Sequence, residues 1–313
     1  MTMLLLRHLE RVGRRFPAPV LTLGNFDGVH LGHQAILRRL VETAHSVGGS
    51  AVALTFQPHP TAVLAPARAP RLITDWRTRV HLIAAMGVDA IVVQHFTRAF
   101  AAISADDFVR RFLVDGLGVR AVVVGHRVSF GHGRAGGAET LRQLGARCGF
   151  AVEVIGPVEA SGMLVSSSAV RQAISEGEFE RARLLLGRTP SVAGRVIHGH
   201  HRGHALGFPT ANLRIADLSL PPDGVYAVRA LARGVPREGV ANLGFNPTFE
   251  QHERSLEVHL FDLDENLYGQ RIEVRFVRRL RGETRFPNVQ ALAAQIARDA
   301  AAARQVLADS PEQ

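Results

Sequence analysis

His30 and His33 stand three residues apart at the end of the stretch Gly24–His33, GNFDGVHLGH. On the first turn of a helix that spacing points both imidazoles the same way. Imidazoles beside the free N–H groups of a helix start suit a polyphosphate whose charge shifts during reaction. Gly24 and Gly28 permit backbone closed to other residues and a close approach by a ligand. His59 is held between two prolines in FQPHP, residues 56–60, and reads either as part of a rigid turn or as a further group reaching the same phosphates. Gly125–Gly137, GHRVSFGHGRAGG, carries His126, Arg127, His132 and Arg134 among five glycines, and reads as an anion-facing loop or a solvated one. In Val165–Arg171, VSSSAVR, the serines open a helix with Arg171 in its first turn. That is a phosphate-binding arrangement, or ordinary capping by Ser167 or Ser168.

A second set of groups lies further along. Thr210 and Asn212 are two apart, so in an extended segment their oxygens share one face. Such hard ligands suit Mg²⁺ completed by nucleotide phosphates. The rival reading is a transition-metal site from His198, His200, His201 and His204, four histidines within seven residues. In LEVHLFD, residues 256–262, alternation puts Glu257 with His259 and Phe261, opposite Leu256, Val258 and Leu260. Glu257 then points either out to water or into an apolar barrel mouth, where it would act as a general base.

The elements that must position these groups differ between the two parts of the chain. Up to about residue 188, apolar runs at 20–23, 51–56, 90–93, 121–124 and 151–155 alternate with helical periodicity at 34–47, 76–86, 105–116 and 138–148. Ser104 followed by Asp107 resembles a capping box for the third helix. Such alternation predicts a doubly wound, mostly parallel sheet, whose ligands bind outside the carboxyl ends of the strands. A short helix over 179–186 leads to GRTPS, 187–191, the expected boundary, with one domain over 1–188 and a second over 189–313. Beyond it, short runs at 191–197, 225–232, 239–243, 256–261 and 271–277 predict a small antiparallel β-barrel, closed by a terminal helix over 289–307.

Composition narrows the chemistry. All 37 basic residues of the 313 are arginine, against 28 acidic ones, for a net charge of +9. A P-loop lysine, a kinase lysine and a Schiff-base lysine are therefore excluded; phosphate must be handled by backbone N–H groups, His, Arg and a metal. Residues 1–188 hold 22 Arg against 14 acidic residues, which suits anionic ligands. A nucleic-acid binder would need basic clusters interleaved with aromatics; the arginines here are scattered, and no nucleic-acid partner is expected. The single Cys148 forms no disulfide framework and fits a cytoplasmic location. The opening residues hold only three consecutive leucines, and neither a signal peptide nor a membrane span is expected.

With GNFDGVHLGH, FQPHP and VSSSAVR in the first part, and GRVIHGHHRGHALGFPTANL (194–213), GVYAV (224–228), GVANLGFNPTF (239–249) and LEVHLFD in the second, the chain resembles the bacterial bifunctional riboflavin kinase/FAD synthetase family over nearly its full length. The resemblance implies a Rossmann-like nucleotidyltransferase domain and a riboflavin kinase barrel. The barrel would move the γ-phosphoryl group of ATP to riboflavin, with Thr210 and Asn212 as Mg²⁺ and phosphate ligands, Glu257 as general base, and the Gly199–Gly207 loop over the nucleotide. The first domain would join FMN to AMP with release of pyrophosphate. There His30 and His33 stabilise charge, Gly24, Asn25, Phe26, Asp27 and Gly28 form the phosphate turn, Ser167 and Arg171 hold the β/γ end, and His59 contributes. ATP, riboflavin and FMN are the implied partners; the oligomeric state is not implied. In the third loop, Arg127 and Gly137 replace acids usual in the family, Val128 replaces Phe and His132 replaces Lys. Elsewhere Ser168 stands for Thr, His204 for Arg and Arg79 for Lys. The alternative reading is a riboflavin kinase alone, its adenylyltransferase domain impaired by the altered loop 125–137.

Overall fold

The computed structural model describes residues 3–198, 208–245, 254–263 and 265–310. Gly199, Gly207, His200, His201 and His204 lie outside them. Chain contacts define two compact units: Met1–Arg71 with Trp76–Ser167, and Leu72–Asp75 with Ser168–Gln313.

The first unit is built on a parallel sheet of β1 (Leu4–Arg7), β2 (Val20–Leu23), β3 (Ala51–Gln57), β4 (Ala90–His95), β5 (Ala121–Gly125) and β6 (Ala151–Ile155), in the order β1-β4-β3-β2-β5-β6. β2 is buried throughout, as are most of β3, β4 and β5, because helices such as Leu31–Ser46 and Ala138–Cys148 cover the sheet. The chain runs from β2 through β3 to β4 in one direction and then crosses to β5 on the other side of β2. That reversal opens a crevice at the carboxyl ends of β2 and β5, where Gly24 and His126 begin their loops. The Ser104 cap forms as expected, its Oγ accepting from Asp107 N–H at 3.0 Å. The helix it starts continues from Val109 to Leu117 as a π-helix. β1 and the hairpin of β7 (Glu159–Ala160) with β8 (Met163–Leu164) were not among the expected strands.

In the second unit, β9 (Ser191–Ile197), β10 (Ala211–Arg214), β11 (Gly224–Ala232), β12 (Val235–Phe245), β13 (Arg254–Leu260) and β14 (Arg271–Arg281) close a barrel in the order β10-β13-β12-β11-β14-β9. All its pairs are antiparallel. Alternate side chains fill the interior: Leu256, Val258 and Leu260 of β13 join Leu213, Ala241, Leu243 and Val274 there. Phe179, Tyr226 and Phe276 pack as an aromatic trio, with ring centroids 5.2 to 5.8 Å apart. The terminal helix, Val289–Ala308, lays Ala303 and Leu307 on the outward side chains Val225, Ala227 and Val240. Arg281 of β14 pins it, both Asp299 oxygens accepting from Nε at 3.0 and 3.1 Å.

Tyr226 is buried with its hydroxyl donating to the Pro222 carbonyl. Burial pushes the phenol up from 10.0 to about 12. Between those values the folded chain keeps a proton that the unfolded chain gives up, so stability falls as pH rises through the window. Thermal unfolding at pH 9 to 12 should show that loss, and Tyr226→Phe should make it shallower.

Candidate active sites

The turn after β2 is shaped by its sequence. Gly28 has φ 81°, a left-handed conformation that glycine adopts without strain. Phe26 is buried in the core, so only its backbone faces a ligand, and its ring meets His33 edge-on at 5.4 Å. Asp27 is buried as well. His30 is the N-cap of the helix Leu31–Ser46 rather than a member of its first turn. Its Nδ1 accepts from the His33 N–H at 3.3 Å, so the neutral ring carries its hydrogen on Nε2. The two imidazoles stack with centroids 3.7 Å apart and planes 16° from parallel. Two positive rings at that separation would repel strongly.

Other motifs converge on this turn. His59 Nδ1 accepts from the Thr61 N–H at 3.2 Å. Its Nε2 lies 3.1 Å from the side-chain amide of Asn25. Asn25 Nδ2 is the atom that faces it. His59 thus caps the helix Pro60–Leu64 and is linked to the first turn through Asn25. Buried Arg79 donates from Nη1 to the Asn25 carbonyl at 3.1 Å. Ser167 opens the helix Ser167–Glu176 and donates its hydroxyl to the Asp27 carbonyl at 3.3 Å. Arg171 is the fifth residue of that helix, one turn further in than expected.

Gly24 and Asn25 also line a cleft of about 850 Å³. Its walls pair aromatic rings (Phe56, Phe96, Phe100) with arginines (Arg68, Arg98, Arg127), and no carboxylate among the described residues lines it. The third loop, with Arg127, His132 and Arg134, thus shares one cleft with the first. Arg68 and Arg98 escaped sequence reading because nothing in their local pattern sets them apart from other surface arginines.

In the barrel, the candidate residues lie on the outer face. Glu257 is on the outer face, half-buried, opposite to the interior residues Leu256 and Val258. It is the Cα partner of Asn212 on β10 and of Asn242 on β12. Directly paired residues share a face, so Asn212, Glu257 and Asn242 form a row across three strands. Thr210 precedes β10. Beside it, His259 Nδ1 donates to the Pro209 carbonyl at 2.8 Å. Asn242 lies within GVANLG, where nothing in the local pattern marks it; only the pairing of β12 with β13 singles it out.

A doubly wound sheet with a histidine-capped anion turn, followed by a small barrel bearing an Asn–Glu–Asn row, defines a two-module nucleotide-dependent transferase. Residues 15–169 match the FAD synthetase family model and residues 186–307 the riboflavin kinase model. The bifunctional riboflavin kinase/FMN adenylyltransferase of Escherichia coli K12 is 40% identical over 91% of this chain and 92% of its own length. That of Pseudomonas fluorescens is 40% identical over 98% and 99%. A crystal structure titled as a macrolide-efflux protein from Streptococcus pneumoniae superposes with a TM-score of 0.85 at 30% identity, covering 97% of this chain and 99% of that one. The chain belongs to the bifunctional riboflavin kinase/FMN adenylyltransferase family. No helix among the described residues is long and apolar enough to cross a membrane.

Proposed function

We infer that the chain phosphorylates riboflavin to FMN and adenylylates FMN to FAD, each step consuming one ATP. The observation that carries this is the tandem match of both enzyme families on one chain. We assign the adenylyltransferase to residues 1–188 and the kinase to 189–313.

In the kinase, Glu257 takes the proton of the 5′-hydroxyl as its oxygen attacks the γ-phosphorus of ATP, and ADP leaves. Asn212 and Asn242, one on either side of Glu257, hold the hydroxyl and the transferring group in line. Phosphoryl transfer needs mainly positioning and charge neutralisation, so a lysine-free site suffices. The family uses ATP with a divalent metal, and we propose Mg²⁺. The donor set fits it: the Thr210 hydroxyl and the Asn212 amide oxygen are hard ligands near the β10 start, and Glu257 faces Asn212 across the strand pair. When bound, the ion neutralises phosphate charge.

In the adenylyltransferase, the FMN phosphate attacks the α-phosphorus of ATP, and pyrophosphate leaves. The backbone of Gly24–Gly28 meets the phosphates, His30 and His33 donate to them, and Asn25 is held in place by His59 and Arg79. Ser167 and Arg171 take the β/γ end. The cleft suits FMN, its aromatic wall for the flavin ring and its arginines for the phosphate. The match of residues 15–169 to the FAD synthetase model favours this reading over the kinase-only alternative. A cytoplasmic location is proposed on the single cysteine and on the use of ATP by both modules.

Purified protein given riboflavin, ATP and Mg²⁺ should form FMN first and then FAD. FMN without FAD, even when FMN is supplied directly, would overturn the second activity.

A further inference from the structure

Glu283 has no place in the roles assigned so far. It follows β14, in the segment before the terminal helix, and its carboxylate rests on Gly244 of β12. A Cβ on that glycine would run into the Glu283 carboxylate, with the carboxyl carbon 2.7 Å away. The φ of Gly244 is not in the left-handed region, so glycine is needed there for space rather than for conformation. The contact places an exposed carboxylate flat against the outer barrel face. Among the described residues it has no hydrogen bond or ion pair.

The register says where on that face. Gly244 pairs with Ser255 as Asn242 pairs with Glu257. Glu283 therefore overlies the row next to the Asn212–Glu257–Asn242 row, about 6.5 Å along the strands. The row on the other side of Glu257 holds His259, which bonds the carbonyl beside Thr210. Thr210 and Glu283 thus lie on opposite sides of Glu257. In-line transfer places the phosphoryl donor on one side of the attacking oxygen and the rest of the acceptor on the other. Thr210 marks the donor side, so the chain that carries the reacting hydroxyl runs toward Glu283. An ionised carboxylate only accepts hydrogen bonds, and hydroxyls of a polyol are its natural donors.

We propose that Glu283, seated by Gly244, binds the internal hydroxyls of the ribityl chain of riboflavin and so sets the kinase's preference for a polyol-bearing flavin. The proposal rests on the kinase reading given above. The test uses the full chain and two ligands: riboflavin, and a flavin whose N10 chain keeps the terminal hydroxyl but lacks the internal ones. Binding is followed by flavin fluorescence in the presence of ADP and Mg²⁺, and turnover by product formation.

Glu283→Ala should weaken riboflavin binding and raise its KM by roughly 10- to 100-fold, as loss of hydrogen bonds to a charged group does, with the KM for ATP unchanged. The wild type should prefer riboflavin to the analogue, and Glu283→Ala should bind the two alike. Gly244→Ala should reproduce this, because the new methyl group displaces the end of a flexible side chain rather than backbone; thermal unfolding reports whether the barrel stays folded. If Glu283→Ala keeps the wild-type preference for riboflavin, or its effect falls on the KM for ATP and metal, the proposal is wrong. Failure of the wild type to phosphorylate riboflavin would instead sink the kinase reading itself.

Discussion

Glu257→Gln should abolish riboflavin phosphorylation and leave the conversion of supplied FMN to FAD at the wild-type rate. The amide keeps the size of the side chain and its place between Asn212 and Asn242, so the barrel should remain folded. What it loses is the negative charge and basicity needed to take the hydroxyl proton. Loss of a positioned general base costs roughly 10²- to 10⁴-fold in rate. The KM for ATP should change little, because the donor is held at the Thr210 end. Following FMN from riboflavin, and separately FAD from FMN, decides the matter. A folded variant that lost both activities would contradict the assignment of one chemistry to each module.

The histidine pair should behave in the opposite sense. His30→Ala combined with His33→Ala should remove FMN adenylylation and spare riboflavin phosphorylation. Deleting a single donor to developing charge costs about 10²- to 10³-fold, and each single variant should fall in that range. The two positions should nevertheless differ in stability. His30 caps the helix Leu31–Ser46 through Nδ1, so His30→Ala also costs about 1 kcal/mol of stability. His30→Asn returns an acceptor near the Nδ1 position without the Nε2 hydrogen, and should recover the stability but not the rate. His33→Ala makes no such demand on the cap. Adenylylation by the double variant within tenfold of wild type would overturn the role given to the pair.

Much of this architecture is visible in the residues themselves. The apolar runs at 20–23, 51–56 and 90–93 sit in central strands covered on both sides, and such runs are legible because burial on two faces leaves no polar alternation. The helix over 138–148 and the short one over 179–186 have the expected bounds. β1 was not legible: Leu4–Arg7 is four residues at a sheet edge, three of them exposed, and only its pairing with β4 makes it a strand. β10, with the residues ANLR, likewise has no apolar run of its own. The outward direction of Glu257 could not be settled from alternation, which gives two faces without saying which is inside. The choice is made by Leu213, Leu243 and Val274 of other strands, which share the interior with Leu256. Asn242 and Glu283 were hidden for the same reason. Their meaning comes from register between strands and from a glycine that leaves room for a side chain 39 residues later.

That register carries a consequence for heredity. In β13 the residues that hold the barrel together alternate one by one with the outward residues, Glu257 among them. Gain or loss of a single codon within the strand would turn Glu257 inward and Leu256 and Val258 outward, so fold and activity would fail in one step. Variation in chain length should therefore be purged from β13 far more strictly than substitution, and should collect in the turns between strands. A library of single-codon deletions across 254–281, selected for growth on riboflavin, should show survivors concentrated between Asp262 and Gln270.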